Sequence, residues 1–386
     1  MNIINYFDGA ISYLFVHIHS FFLHIRFPRV RKFSINTESQ RVDLDISSLY
    51  SQVPESAIPF FNSYESPIFK LFICSNACIS SLGIVSSKGL VLPYNLPAEN
   101  RAQSTLLASA YKKMLSREAP SVFTKGSYVL FYNPFSYSNI AHWLTESLVR
   151  LWLCKDLLTI NDTLIIPYSS MTTFAIDSIR TLGIKNDYMI HDSPNMNFQE
   201  LKVIHSTGRQ SEFHLSIREM SKTILGNMSS TLVSSEIFTV LYIKRHAQSR
   251  RRILNEEELF ETLQSQFKLK IIDPSCLSFN QQVQEFNSTK CVISLHGAAL
   301  SHLIWMKEGS HVIELYKDLN SYLGNIYEPP KSPSSWYTRL STIMNLNYHL
   351  FQCFSPNSKS TNAPSSSLVV DCAKLKKLLI KISSNY

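Results

Sequence analysis

The chain has 386 residues, 45% of them hydrophobic and 17% charged, with 37 basic side chains, 29 acidic ones and a net charge of +8. That apolar fraction excludes a disordered chain, and at about 150 residues per domain the length fits two domains or one large one. Only 10 glycines are present, and none falls in G-x-x-x-x-G-K-[ST] or G-x-G-x-x-G, which argues against P-loop and ordinary dinucleotide chemistry.

The first apolar stretch spans residues 10–25, with Phe7, Ile11, Leu14, Ile18, Phe22 and Ile25 at helical spacing and Arg26, Arg29, Arg31 and Lys32 behind it. It lacks the basic leader and cleavage site of a secretory signal, and it is short for a spanning helix. Residues 7–32 therefore read either as an interfacial helix making peripheral contact with an anionic membrane face or as a helix packed on the protein's own surface. The location expected is the cytoplasm, peripheral at the membrane face, where sequons at Asn161, Asn227 and Asn287 stay idle. The seven cysteines show no zinc spacing, and most sit in apolar runs that read as core thiols in a reducing compartment.

Residues 34–66 read as irregular, and Asp43 and Asp45 within them as surface polar groups rather than a metal site. Strands are then expected at Ile68–Ile73 and Gly89–Leu92, and a helix near Arg101–Arg117. Strand Ser127–Tyr132, helix Asn139–Leu158, strand Thr163–Ile166, helix Thr172–Leu182 capped by Gly183, and strands Tyr188–Ile190 and Leu201–Ile204 come next. Beyond a helix at Phe213–Met228 and Ser-rich residues 229–235, the alternation restarts with strand Phe238–Ile243. Helix Glu256–Gln266, strand Lys270–Ile272, helix Phe279–Asn287, strand Cys291–Leu295, helix Ala299–Trp305 and strand His311–Leu315 complete it. Such alternation predicts α/β domains with parallel sheets. The domains expected are an N-terminal segment at 1–66, α/β domains at 67–230 and 231–354, and a polar linker with a returning amphipathic helix at 355–386.

Three groups of residues carry candidate chemistry. Asn139-Ile140-Ala141-His142-Trp143-Leu144-Thr145-Glu146 opens a helix just beyond a strand's carboxyl end, where ligands of open α/β sheets bind. His142 and Glu146 share a helix face; either is a candidate general base, or Glu146 orients His142. Taken alone, such a pair is more often a surface contact. The basic run Lys244-Arg245-His246 with Arg250-Arg251-Arg252 suits a diphosphate, with nucleic acid as the rival and a solvated loop as the bland reading. No nucleic-acid motif accompanies it, and no nucleic-acid partner is expected. His296-Gly297-Ala298-Ala299-Leu300 sits where a strand closes and a helix opens, and Glu314 ends a later strand where a carboxylate can accept from a ribose diol. A tight packing turn explains the glycine equally well.

In this order, His142-Trp143-Leu144-Thr145-Glu146, the basic loop with Arg252-Ile253-Leu254-Asn255-Glu256, and His296-Gly297-Ala298-Ala299-Leu300 through Glu314-Leu315 resemble glycosyltransferase family 61 over roughly residues 125–320. That family includes capsular polysaccharide, xylan-decorating and O-linked N-acetylglucosaminyl transferases. The resemblance implies a GT-B-like α/β fold of two Rossmann-like domains facing a cleft. It also implies inverting, metal-independent transfer from a nucleotide sugar, without a cofactor, to a glycan, glycolipid or glycoprotein acceptor, in surface polysaccharide biosynthesis such as a capsule. On that reading His142 or Glu146 is the base. Arg245, Arg251, Arg252, His296, Gly297, Ala298 and Glu314 bind the donor, and Asn139, Trp143, Arg150 and Asn255 support them. The family usually has a second Gly where this chain has Ala299, so a catalytically inactive glycan- or nucleotide-binding protein on the same fold is the alternative.

Overall fold

The computed structural model describes residues 31–34, 41–43, 63–80, 83–87, 90–91, 122–193, 195–207, 212–232, 237–245, 251–316, 336–356 and 367–384. The segment 10–25, the helix expected near Arg101–Arg117, Asp45, His246, Arg250 and most of the 355–367 linker lie outside them. Two compact units are present, one formed by Met1–Gln40 with Ser66–His214 and the other by Arg41–Glu65 with Leu215–Tyr386.

The first unit is built on an eight-stranded sheet. Asn195–Ser206, Val122–Leu130, Asp162–Pro167 and Tyr188–His191 run parallel, in that order. On the other side of Asn195–Ser206 the sheet turns antiparallel through Phe69–Ser80, which also pairs with Arg31–Ser34 and Val85–Ser87. The expectation of a parallel sheet therefore holds for only half of it. Two strands were expected too short, at Ile68–Ile73 and Leu201–Ile204. Both run 12 residues, because their antiparallel pairing continues past the apolar runs through polar positions, such as Ser75 opposite Glu200 and Asn197 opposite Cys78. Strand Val122–Leu130 likewise begins earlier than its apolar run.

The helix expected at Asn139–Leu158 is not uniform. It is α-helical at Ile140–His142, π-helical over Trp143–Ser147, α-helical again at Leu148–Cys154, and 3-10 at Lys155–Leu157. Leu148 N–H reaches back five residues to the Trp143 carbonyl. Trp143 is buried against Phe131 with its indole N–H on Ser178 Oγ at 3.0 Å, so the turn most distorted is also well anchored. Gly183 closes the helix Thr172–Thr181 as expected: its φ of 90° is left-handed, and Ile184 N–H bonds to the Ile179 carbonyl.

The second unit holds a five-stranded, wholly parallel sheet in the order Lys268–Ile272, Thr239–Ile243, Cys291–Leu295, His311–Tyr316, Asn347–Gln352. Thr239–Ile243 and Cys291–Leu295 are buried at every position, so both sheet faces are covered. One face packs Val240, Tyr242, Ile293, Ile313 and Leu315 against Leu259 and Leu263 of helix Glu256–Gln264 and Leu375, Leu379 and Ile382 of helix Cys372–Ser383. The returning amphipathic helix therefore docks on the sheet. The segment expected as helix Ala299–Trp305 is a 3-10 helix, Ala298–Trp305, and the helix expected at Phe213–Met228 is Ile217–Asn227. Among the described residues, no helix is long and apolar enough to cross a membrane.

The seven cysteines are free; Cys74, Cys154, Cys291, Cys353 and Cys372 are buried and Cys276 is exposed. The core-thiol reading is correct for those five.

Candidate functional site

In the first unit the chain leaves Val122–Leu130 through buried Asn133, whose side chain ties together the next two turns. Its Oδ1 accepts from Ser136 N–H and Ser136 Oγ–H, capping the 3-10 turn Pro134–Tyr137, while its Nδ2 donates to Glu146 Oε2. Asn139 caps the next helix by accepting from Ala141 N–H. One helical turn on, Glu146 Oε1 lies 2.6 Å from His142 Nδ1. The imidazole lies 5.3 Å from the Phe135 ring, centroid to centroid.

Burial alone would push the Glu146 carboxyl up, but His142, its hydrogen bond, the Arg150 charge and the Asn133 amide together hold it below the ordinary carboxylate value. Arg150 is buried and its Nη1 donates to the Ile204 carbonyl at 3.5 Å, near the carboxyl end of Asn195–Ser206. Burial lowers its pKa to about 10, with Glu146 opposing. Glu146 is thus an ionised acceptor occupied at both oxygens. A carboxylate in that state orients a histidine better than it abstracts a proton. With Nδ1–H directed at Glu146, Nε2 becomes the basic nitrogen of the His142 ring. Trp143 sits away from this pair, in the core.

In the second unit the strand order places a topological switch between Thr239–Ile243 and Cys291–Leu295, since the chain leaves the first strand toward one edge and returns on its other side. The basic loop follows the first of these strands and His296-Gly297-Ala298 the second. Arg245 Nη2 and Arg251 Nη1 both donate to the His296 carbonyl, at 2.5 and 2.8 Å. Tyr337 O–H donates to the next carbonyl, that of Gly297, at 2.6 Å. A Cβ at Gly297 would overlap the Arg245 guanidinium, so an added side chain would move that arginine from the His296 carbonyl while the backbone angles themselves admit any residue. Burial and the neighbouring Arg251 charge bring the Arg245 pKa down to about 10. Among the described residues, no carboxylate lies within ion-pair distance of Arg245.

The remaining expected residues divide. His296 Nδ1 is 2.5 Å from Glu314 Oε1, and Glu314 is wholly buried. Arg252 is exposed. Asn255 faces the chain's far end: its Nδ2 donates to the Val370 carbonyl and its Oδ1 accepts from Val370 N–H, at 2.8 and 2.9 Å. Ala298 and Ala299 open the 3-10 helix, and the positive φ angles among the described non-glycine residues fall at Asn76 and Asn345, not at 299. Sequence reasoning missed Asn133, Tyr337 and Tyr348. A polar residue directly after a strand was a readable signal for Asn133. Nothing in the sequence pointed to the tyrosines, which arrive from distant elements.

Residues 140–313 match the family model of glycosyltransferase 61. This chain carries a glycosyltransferase 61 domain. The domain opens at the helix that bears His142 and closes on the strand that bears Glu314. Its sequence is similar to protein O-linked-mannose beta-1,4-N-acetylglucosaminyltransferase 2 of Xenopus laevis, 31% identical over 104 residues, 26% of this chain and 18% of that protein. It is also similar to the EGF domain-specific O-linked N-acetylglucosamine transferases of Mus musculus, 35% identical over 79 residues, and Drosophila melanogaster, 31% over 87. These matches cover 19% and 22% of this chain and 15% and 16% of those relatives, so each aligned stretch is less than a fifth of the relative's length. Among the described residues of the glycosyltransferase 61 domain and its flanks, no three His, Cys, Asp or Glu side chains are grouped to hold a metal ion.

Proposed function

We propose that the protein is an inverting, GT-B-like glycosyltransferase that moves a sugar from a nucleotide-sugar donor to a hydroxyl of a glycan or glycoconjugate acceptor. The observation that carries this reading is the anchoring of Arg245 and Arg251 on the single carbonyl of His296, at the switch point of a parallel sheet inside a glycosyltransferase 61 domain. Their convergence on one oxygen brings two guanidinium groups together, and the planar fork of a guanidinium suits the oxygens of a phosphate. A departing nucleoside diphosphate gains negative charge as the glycosidic bond breaks, and prepositioned cationic donors stabilise that change without reorganisation. Two arginines can supply this charge, which is the basis for proposing transfer without a required metal.

Inversion is a single displacement at the anomeric carbon. The acceptor oxygen attacks, its proton leaves to a base, and the bond to the diphosphate breaks. His142 Nε2 is the proposed base and Glu146 its orienting anion, a reading supported by the 2.6 Å contact between Glu146 and the opposite ring nitrogen. The names of the relatives specify N-acetylglucosamine transfer, so uridine diphosphate N-acetylglucosamine is the first donor to test. A role in surface polysaccharide synthesis, at the cytoplasmic membrane face through residues 7–32, completes the proposal.

The test is a transfer assay with a panel of nucleotide sugars and glycan acceptors, with and without EDTA, joined to a thermal-shift measurement with nucleoside diphosphates. Donor-dependent product that persists in EDTA and disappears in His142→Ala supports the reading. A folded protein that no nucleoside diphosphate stabilises sinks it.

A further inference from the structure

Glu314 ends a strand where a carboxylate can meet a ribose, yet its surroundings serve another purpose. The side chain has no exposed surface. Oε1 lies 2.5 Å from His296 Nδ1, and Oε2 accepts from the Tyr348 O–H at 2.6 Å. A ribose diol cannot reach an anion closed off in this way without displacing protein. The His296 side chain, by contrast, is 16% exposed. Its ring is held edge-on between Tyr316 and Tyr337, at 5.3 and 5.5 Å between centroids, which opposes ring rotation. Its own carbonyl carries Arg245 and Arg251.

We propose that Glu314 and Tyr348 are positioning residues for His296, whose Nε2 contacts the diphosphate of the bound nucleotide. The inference rests on the donor-site reading. A histidine that gives Nδ1–H to a fixed carboxylate has its ring plane set and its other nitrogen aimed outward. Here the carboxylate is fixed in turn by a tyrosine from the neighbouring strand Asn347–Gln352. One residue thus organises the site twice. Its backbone oxygen gathers two guanidinium groups, and its side chain adds a third polar contact beside them.

Inorganic pyrophosphate, which has no ribose, separates this role from ribose binding. Its affinity would be measured by calorimetry alongside uridine diphosphate for the unsubstituted protein, His296→Gln, Glu314→Gln, Tyr348→Phe and Arg245→Ala. Removing a hydrogen bond that aligns a ligand group weakens binding about fivefold to tenfold, so the His296, Glu314 and Tyr348 variants should each lose about that much affinity for pyrophosphate itself. A Glu314→Gln protein that binds uridine diphosphate poorly but pyrophosphate normally would make Glu314 a ribose ligand and overturn the proposal.

If the unsubstituted protein binds no pyrophosphate, or Arg245→Ala leaves it unaffected, the donor-site reading itself fails and this inference falls with it. A site that depends on Arg245 but is indifferent to Glu314→Gln and Tyr348→Phe overturns the positioning role alone. A second measurement needs no variant. Imidazole nitrogen NMR of the unsubstituted protein should show the His296 proton on Nδ1 and a shift of Nε2 on pyrophosphate addition; an unmoved Nε2 would overturn the proposal even if a variant failed to fold.

Discussion

Asn133 and His142 hold opposite ends of one carboxylate: the amide donates to Glu146 Oε2, and the imidazole meets Oε1 at 2.6 Å. The consequence is a split between chemistry and binding. His142→Ala should lower kcat by about 100-fold or more, on the order of general-base contributions, while nucleoside diphosphate affinity stays within about twofold. Glu146→Gln should cost less than His142→Ala, because it removes an orienting anion and not the proton acceptor. Steady-state kinetics with the donor saturating would test the ranking; equal losses in donor affinity would contradict it.

Gly297 is a second point of leverage. An added methyl must displace the Arg245 guanidinium from the His296 carbonyl. Gly297→Ala should therefore weaken nucleoside diphosphate binding at least about tenfold, comparable to loss of a charge-assisted contact, with a melting temperature close to the original. Unchanged affinity in titration calorimetry would show that Arg245 is dispensable. Ala299→Gly, which changes no required backbone angle, should leave affinity unaltered.

Asp162 is a structural counterpart. Fully buried, it accepts from Lys202 Nζ at 2.8 Å on both oxygens, from Ser127 Oγ–H at 2.6 Å and from Thr159 N–H at 2.7 Å. Burial raises its carboxyl pKa, but these partners outweigh it and hold the group below its ordinary value. Breaking a buried pair from one side costs about 3–5 kcal/mol, so Asp162→Ala should lose that much in urea unfolding. Its depressed pKa means the stabilisation is complete above about pH 4 and is lost as pH falls through the folded-state value.

Histidines set a milder acid limit. Burial lowers the pKa of His191, His214, His302, His311 and His349, reaching about 3 at His302 and about 4 at His349, where the His311 and Lys381 charges add to it. The unfolded chain takes up protons at about pH 6.5 that the folded chain refuses. Stability should be level above about pH 7 and fall between about 6.5 and 4. Thermal melts across that range would show it, and His349→Gln should flatten the slope.

The second unit was largely legible in sequence because its strands are short apolar runs bounded by turns, and its sheet is buried on both faces. The first unit was harder. Phe69–Ser80 and Asn195–Ser206 run on through polar residues, and an antiparallel partner far away in sequence decides how long each becomes. The π-turn at Trp143–Ser147 has no composition signal. At the candidate site, His142, Glu146, Arg245, Arg251 and Gly297 were readable from residue type next to strand ends. Tyr337 and Tyr348 were not, since only the folded path brings them to Gly297 and Glu314.

Asn255 reaches across the sequence to Val370, and the neighbouring backbone joins in: Leu254 N–H bonds to the Leu368 carbonyl, and Leu368 N–H to the Arg252 carbonyl. The arginine-bearing loop is therefore laced to a stretch of chain well past residue 313, where the family match ends. A fragment cut at that border would keep His142, Glu146, Arg245, Arg251 and Gly297, but it would lose Glu314, Tyr337 and Tyr348 together with the stitching of the arginine-bearing loop. Leu368 and Val370 thus brace the arginine-bearing loop from outside the matched segment.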